Sequence, residues 1–172
     1  PMDIAHSVYF TFDLGLAPAE AVRFVQDVPR SLSRAAFIRD MAVFTVGELR
    51  HVRAVLPVNA AFFGEQELGF ESLLTPTARG AELSPLPVSE QRLGWAEVAG
   101  RAEVNPLPLG SRVSYSFDIT IHLNLPEPDK WGGRALLKMI HFTAQRVLEG
   151  IAADFPAAVQ AAAAETEAAY QA

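Results

Sequence analysis

The segment from Trp131 to Phe155 constrains the fold more than any other part of the chain. Its apolar residues recur at steps of three and four, so they share one face of an amphipathic helix. These residues are Leu137, Ile140, Ala144, Val147, Leu148, Ile151 and Phe155. A helix with so long an apolar face must pack against another layer. The strand-like segments that precede it indicate that this layer is a sheet.

Two segments alternate apolar and polar residues with period two, from Ile4 to Asp13 and from Val113 to Leu123. This alternation predicts strands with one buried face. Weaker strand patterns between them cover residues 37–46, 52–63, 67–74, 81–83 and 94–104. The order and the tight turns between these segments predict an antiparallel sheet of about six or seven strands.

Two short helices are expected after the first strand. Pro18 suits a first helical position and Glu20 the first turn, and we expect Pro29 to end this helix. A second helical turn is predicted over residues 31–35. The sequence therefore predicts an α+β fold with a curved sheet around one long C-terminal helix.

The chain of 172 residues fits a single domain, which we assign to residues 2–155, followed by an Ala-rich acidic tail at residues 156–172. Pro156 lacks a backbone donor, so the tail is expected to form a separate helical piece at an angle to the main helix. Few large apolar residues occur in it, so we expect it to add little stability. A homodimer contact through its alanines is the less favoured alternative, because small residues pack closely but remove little apolar area from water.

Composition excludes several functional classes. Half of the residues are hydrophobic and the formal net charge is −6, without any basic run, so nucleic acid is not an expected partner. No apolar stretch has the ~18 residues that cross a bilayer, and we expect a cytoplasmic protein without an integral membrane segment. Cysteine is absent, and no nucleotide, metal-binding or catalytic motif occurs. We therefore expect no cofactor, no metal and no assigned catalytic residue.

The first strand running into Ala17-Pro18-Ala19-Glu20-Ala21-Val22 and on through residues 24–29 resembles the opening of the START-like (SRPBCC) superfamily. This superfamily includes the pollen-allergen-type helix-grip proteins and the polyketide cyclases. The helix entry from Trp131-Gly132-Gly133 through Ile140 resembles smaller bacterial members such as the carbon monoxide dehydrogenase G type. The resemblance implies a curved antiparallel sheet that grips the C-terminal helix, with an elongated apolar cavity between them. It implies no fixed catalytic residue.

Nine residues are candidates for the lining of such a cavity because strand alternation and helical spacing direct them inward. They are His6, Phe10, Val98, Ala102, Tyr115, Phe117, Ile121, Leu137 and His141. Among them, His6, Tyr115 and His141 would supply the few polar groups of a small-molecule site. The alternative for each is a residue at the edge of the core whose polar atom bonds to the backbone.

The strand over residues 94–104 carries small residues on its apolar face, namely Ala96, Gly100 and Ala102. Small side chains cannot fill the ~10 Å between two packed layers, so they favour a cavity. Alternatively, the bulk of Phe10, Phe12 or Phe117 fills the gap. The sequence leaves both open.

Three functions remain after these exclusions. The first is non-catalytic binding of a hydrophobic or lipid-like small molecule in an internal cavity. The second is a cyclase or aromatase-like enzyme acting on a polyketide-like substrate, with His6, Tyr115 or His141 moving protons. The third is a protein-assembly module with a filled core, and fold alone does not choose among them.

Overall fold

The computed structural model of the protein describes residues 2–60, 64–88, 93–125 and 132–172. Seven strands and three helices follow one another along the chain. In order they are β1 (Met2–Leu14), α1 (Pro18–Gln26), α2 (Val28–Ser31), β2 (Arg39–Val46), β3 (Leu49–Ala60), β4 (Gly64–Thr77), β5 (Gly80–Pro85), β6 (Gly94–Leu107), β7 (Gly110–Leu123) and α3 (Gly133–Gln171). Every strand predicted from the sequence is present. The strand predicted over residues 37–46 begins only at Arg39, most of the others extend by a few residues at one or both ends, and residues 61–63 of the predicted third strand lie outside the described residues.

The strands form one curved antiparallel sheet in the order β1-β7-β6-β5-β4-β3-β2. Strands β2 to β7 follow each other as a meander, and β1 closes the far side by pairing with β7. This pairing runs without a shift from Met2 opposite Leu123 to Leu14 opposite Ser111. The predicted α+β class and the sheet of seven strands around a long C-terminal helix are confirmed.

Strand alternation decides which face of the sheet carries the core. In β1 the residues Ile4, Val8, Phe10 and Leu14 are buried, whereas the residues between them face solvent or lie half-buried. The β6–β7 hairpin turns at Gly110, which has φ +107°, and a Cβ atom there would lie 2.4 Å from the carbonyl oxygen of Leu14. Only glycine fits this turn, and the turn fixes which faces of β6 and β7 are buried.

Helices α1 and α2 cover part of the concave face. Helix α1 begins at Pro18 as expected, but it ends at Gln26, before Pro29. Asp27 then caps α2 by accepting a hydrogen bond from the backbone N–H of Arg30 at 3.2 Å. Pro29 lies in the first turn of α2, a position where its missing donor costs nothing. The prediction that Pro29 ends a helix and that the second turn covers residues 31–35 is therefore wrong.

Helix α3 lies across the concave face and packs mainly against β1. Ala144, Leu148, Ile151 and Phe155 of the predicted apolar face are buried, which confirms the face. The helix begins at Gly133, and Trp131, expected at its entrance, lies outside the described residues. Residues before Ala144 are half-buried or exposed, so the sheet covers the second half of the predicted segment better than the first.

The expected break at Pro156 is wrong, because α3 continues without interruption to Gln171. Proline inside a helix costs roughly 3 kcal/mol. Phe155 and Val159 on either side of it are buried, and burying such side chains contributes about 1.5 to 3 kcal/mol each. Ala162 and Ala163 join the same core cluster. Whether residues 2–155 fold without residues 156–172 stays a prediction.

Candidate ligand-binding site

The described residues form a small, partly open cavity of about 30 Å³ between the α1–α2 pair and the sheet. A cavity of this size has room for roughly two water molecules. Val25 and Val28 cover it from the helices, and Ala81, Ala102 and Phe117 form its floor. The wall is almost wholly apolar, so a polar side chain in it would determine which ligands the cavity accepts.

Tyr115 of β7 supplies that polar group. The residue is only 4% exposed, and its hydroxyl makes no hydrogen bond of normal geometry within the described residues. Burial raises the pKa of Tyr115 above its usual value, and a hydrogen-bonding interaction with the Ser31 hydroxyl, of less than normal geometry, opposes this in part. Since the phenol is neutral at pH 7, its O–H can donate a hydrogen bond to a molecule in the cavity.

Ser31 of α2 lines the same cavity. Its hydroxyl donates towards the carbonyl oxygens of Phe24 at 2.5 Å and of Asp27 at 2.9 Å. A hydroxyl has one donor proton, so the remaining capacity of Ser31 is as an acceptor. Together, Tyr115 and Ser31 place one donor and one acceptor near each other in an otherwise apolar space.

Aromatic neighbours fix the orientation of the Tyr115 ring. Phe10 stacks on it with ring centroids 5.1 Å apart, and Phe117 lies 5.8 Å away. Phe155 of α3 contacts Phe117 at 4.4 Å and Phe10 at 5.9 Å. These rings fill the space between the sheet and α3. At Gly100 of the strand with small residues, the gap is filled by the bulk of Phe117, which was the alternative to a cavity.

Polar contacts surround the outer end of the cavity. Arg101 donates to Glu82 across the β5–β6 pair at 2.6 Å, and both residues line the cavity while remaining partly exposed. Gln26 at the end of α1 donates from Nε2 to the carbonyl oxygen of Gly80 at 2.9 Å. This bond fastens the helical cover to the β4–β5 turn. The Gln26–Gly80 hydrogen bond therefore ties the end of α1 to the sheet at the edge of the cavity.

Of the nine predicted lining residues, Ala102, Tyr115 and Phe117 line the cavity. Phe10 packs behind Tyr115. Four more lie elsewhere along the concave face or on α3, and these are His6, Val98, Ile121 and Leu137. His6 is half-buried and pairs with Ile119, four residues from Tyr115 along β7, or roughly 13 Å at ~3.3 Å per residue.

His141 is exposed on α3, so the expectation that it points inward is wrong. It lies on the flank of the apolar face, about 50° from the buried centre at ~100° per residue. In the first part of α3 even Leu137 and Ile140, at the centre of the apolar face, are only half-buried. The side of that face where His141 lies is left exposed. His6, Tyr115 and His141 therefore do not converge on one site.

The nine predicted lining residues include none from the helical cover. Val25, Val28, Ser31 and Leu32 all line the cavity. Ser31 gave no signal in the sequence, because it follows Arg30 and serine is usually exposed. Its buried bonds to the backbone satisfy it locally, as buried polar groups usually are.

The described part of the chain offers no group of three His, Asp or Glu side chains arranged to hold a metal ion. Among its helices, none combines the length and the apolar character needed to span a bilayer.

Comparison with solved structures finds the same fold at low sequence identity. The Zhui aromatase/cyclase from Streptomyces sp. R1128 is 15% identical, covers 95% of this chain and 94% of its own, and has a TM-score of 0.61. The di-domain aromatase/cyclase StfQ of the steffimycin biosynthetic pathway is 11% identical over 94% of this chain, which spans about half (51%) of StfQ, with a TM-score of 0.55. TTHA0849 from Thermus thermophilus is 15% identical over 89% of this chain and 99% of its own, with a TM-score of 0.47.

The two neighbours with TM-scores above 0.5 show the helix-grip fold that the resemblance implies, whereas the closer likeness to the carbon monoxide dehydrogenase G type is not confirmed. No curated protein matches the sequence significantly. A family model described as "Protein of unknown function (DUF3809)" matches residues 9–153. That match spans most of the chain and nearly all of the sheet, α1, α2 and the first half of α3, and the chain therefore belongs to the DUF3809 family.

Proposed function

We propose that the protein binds a hydrophobic small molecule with one hydrogen-bond acceptor in its interior, beneath α1 and α2. The observation that carries this proposal is Tyr115, whose side chain lines an apolar cavity and whose buried hydroxyl makes no hydrogen bond of normal geometry within the described residues, although the Ser31 hydroxyl lies near it. An unsatisfied buried donor costs about 1 to 3 kcal/mol. A carbonyl or ether oxygen of a ligand would recover this energy on binding.

The mode of binding follows from the size of the cavity. About 30 Å³ is far below the ~300 Å³ of a typical ligand site. The bound state therefore requires the cover to move away from the sheet. Helix α2 has only four residues, and Gln26 fastens α1 to Gly80 at the edge of the cavity. Displacement of α1 and α2 would open the apolar surface formed by Ala81, Ala102 and Phe117.

Binding without catalysis fits this geometry better than acid–base chemistry. Proton transfer needs a donor and an acceptor within about 3 Å of the reacting atoms. Tyr115 has neither His6 nor His141 within that reach, since His6 lies further along the sheet and His141 is exposed. Ser31 is the polar neighbour of Tyr115 inside the cavity, and it is not a base at neutral pH.

Titration with Nile red, an uncharged dye with a ring carbonyl acceptor, tests this function. We expect its emission to rise and shift to the blue on binding to the native protein. Tyr115→Phe should weaken binding up to about tenfold, because one hydrogen bond contributes about 0.5 to 1.5 kcal/mol. Ala102→Val should weaken it further by occupying the space of the ligand.

Ala96→Val is the matched control, because Ala96 lies on the same face of β6 and is equally buried but does not line the cavity. Dye affinity should be unchanged in this variant once its stability has been checked by thermal melting. Equal affinity in the wild type, Tyr115→Phe and Ala102→Val would place the dye elsewhere and reject the proposal. Native mass spectrometry of the purified protein should in addition show a co-purifying molecule of a few hundred daltons.

A further inference from the structure

The outward face of α3 exposes large apolar residues in its first half. Phe142 is 64% exposed, Met139 43% and Leu136 42%, although all three belong to a regular helix of a well-packed protein. Arg146 lies over the Phe142 ring at 5.9 Å from its centroid. Water-exposed groups of this size on one helix face usually mark a contact surface.

The second half of the same face carries mostly small residues. Those that are exposed and lie in line with Met139 and Phe142 at ~100° per residue are Gly150, Ala153, Ala157, Ala161, Ala164 and Ala168, and Gln160 is the one large side chain among them. A Cβ atom at Gly150 would have nothing within 4 Å, so this part of the surface is open. The face thus has projecting side chains at one end and room for them at the other.

Charge divides at the same point. Residues 133–148 of α3 carry Arg134, Lys138 and Arg146 and no carboxylate. From Glu149 onward the chain carries four acidic residues and no basic one. Glu165 already pairs with Arg34 and Glu167 accepts from the Gly15 N–H in the same chain, so part of the acidic charge is used internally. The remaining difference still makes one half positive relative to the other.

We infer that this face binds a second copy of the same chain, with the two α3 helices antiparallel about a two-fold axis between residues 151 and 152. In this arrangement Phe142 faces the hollow formed by Ala157, Gln160, Ala161 and Ala164 of the second copy, and Met139 faces the next hollow along. Arg134 and Lys138 of each copy then lie beside the stretch of the other copy that carries Glu165 and Glu167. Small residues at the crossing allow the close approach, and the matched stretch from residue 139 to 164 is about 37 Å long at ~1.5 Å per residue.

The mass in solution gives the first test. The wild type should scatter light as a particle of about 37 kDa, twice the 18.6 kDa of one chain. Ala157→Arg should reduce this to the mass of one chain, because it places bulk and positive charge against Arg146 of the second copy. Ala169→Arg is the matched control, since Ala169 is also exposed on α3 but points away from this face. It should remain dimeric with an unchanged melting temperature.

Disulfide trapping tests the antiparallel register. The chain has no cysteine, and residues 146 and 157 are about 16 Å apart along one helix, too far for a disulfide within it. Arg146→Cys combined with Ala157→Cys should give a covalent dimer under oxidation. Each single variant should form no covalent dimer. A wild type of monomer mass, equal behaviour of the two arginine variants, or no cross-link in the double variant would overturn the inference. So would co-sedimentation of the monomer with anionic phospholipid vesicles that Phe142→Ser abolishes.

Discussion

The ring of Phe117 in β7 occupies the space that a side chain at Gly100 in β6 would need. The two residues are directly opposite each other, and a Cβ atom at Gly100 would lie 2.6 Å from two carbon atoms of the ring. The absence of a side chain on one strand thus allows an aromatic residue on the next to lie flat against the sheet, where it supports both Tyr115 and Phe155.

Gly100→Ala should lower the free energy of unfolding by about 1 to 3 kcal/mol, because the ring must leave its position. Urea unfolding measures this. In a double-mutant cycle with Phe117→Leu, the two costs should not add, since the smaller side chain frees the space that the added methyl group requires. Strict additivity would mean that the contact between these residues does not limit the packing.

Filling the cavity should cost little stability. Ala102→Val adds two carbon atoms at the cavity wall, so we expect an unfolding free energy within about 0.5 kcal/mol of the wild type. Ala96→Val makes the same change in a filled part of the core and should cost about 1 to 3 kcal/mol. Chemical denaturation of both variants compares them directly. If Ala102→Val is as damaging as Ala96→Val, the space beneath α1 and α2 is not available.

Tyr115→Phe should change stability in a pH-dependent way. At neutral pH it removes an unsatisfied buried hydroxyl and should raise the unfolding free energy by about 1 kcal/mol. Because the pKa of Tyr115 is raised in the folded protein, its contribution is constant below pH ~10, where the unfolded residue titrates. Above that, wild-type stability should fall by up to ~1.4 kcal/mol per pH unit relative to the variant.

Unfolding curves recorded at neutral pH and at several values above pH ~10 test this. Tyr9→Phe is a suitable control because Tyr9 is 71% exposed. Its stability should follow the wild type throughout. Parallel curves for the wild type and Tyr115→Phe at alkaline pH would show that the hydroxyl ionises in the folded state.

A charge on the apolar face of α3 should unfold the protein. Leu148 is 1% exposed and belongs to the core cluster, so Leu148→Asp buries a carboxylate without a partner. Circular dichroism should show loss of the cooperative thermal transition. Gln145→Asp, one turn away on the exposed side, should melt within a few degrees of the wild type.

Truncation after Asp154 should also unfold the protein or lower its melting temperature by many degrees. It removes Phe155 and Val159, which are 3% and 0% exposed, and with them about 3 to 6 kcal/mol of buried apolar surface. That is a large part of a typical stability of about 5 to 15 kcal/mol. Truncation after Ala169 removes only exposed residues and should have almost no effect. A fully stable shorter chain would restore the idea of a dispensable tail.

The strands and the apolar face of α3 could be predicted because each has one buried side. In β7, alternation from Val113 to Ile121 matches burial residue by residue, and a shift by one would expose the whole set. The same logic failed at His141. A helical wheel gives the direction of a side chain, but the place where the sheet ends depends on the other strands.

Pro156 and Tyr115 show a second limit. The local preference of proline argues for a break, and only the burial of Phe155 and Val159 by β1 and its neighbours outweighs it. Tyr115 was placed correctly on the inner face, but whether its hydroxyl finds a partner depends on α2, which is far away in the sequence. The role of Ser31 depends on the same packing and could not be foreseen.

The pairing of β1 with β7 has a consequence for synthesis. During synthesis β1 has no partner strand until about 110 further residues, up to the end of β7, have been added, and α3, which packs on it, follows β7. At ~5 to 20 residues per second this leaves β1 unpaired for roughly 5 to 20 s. During that interval its alternating pattern of Ile4, Val8 and Phe10 is open to pairing with other chains. A strand that is paired so late has to be kept from other chains until β7 and α3 have been made.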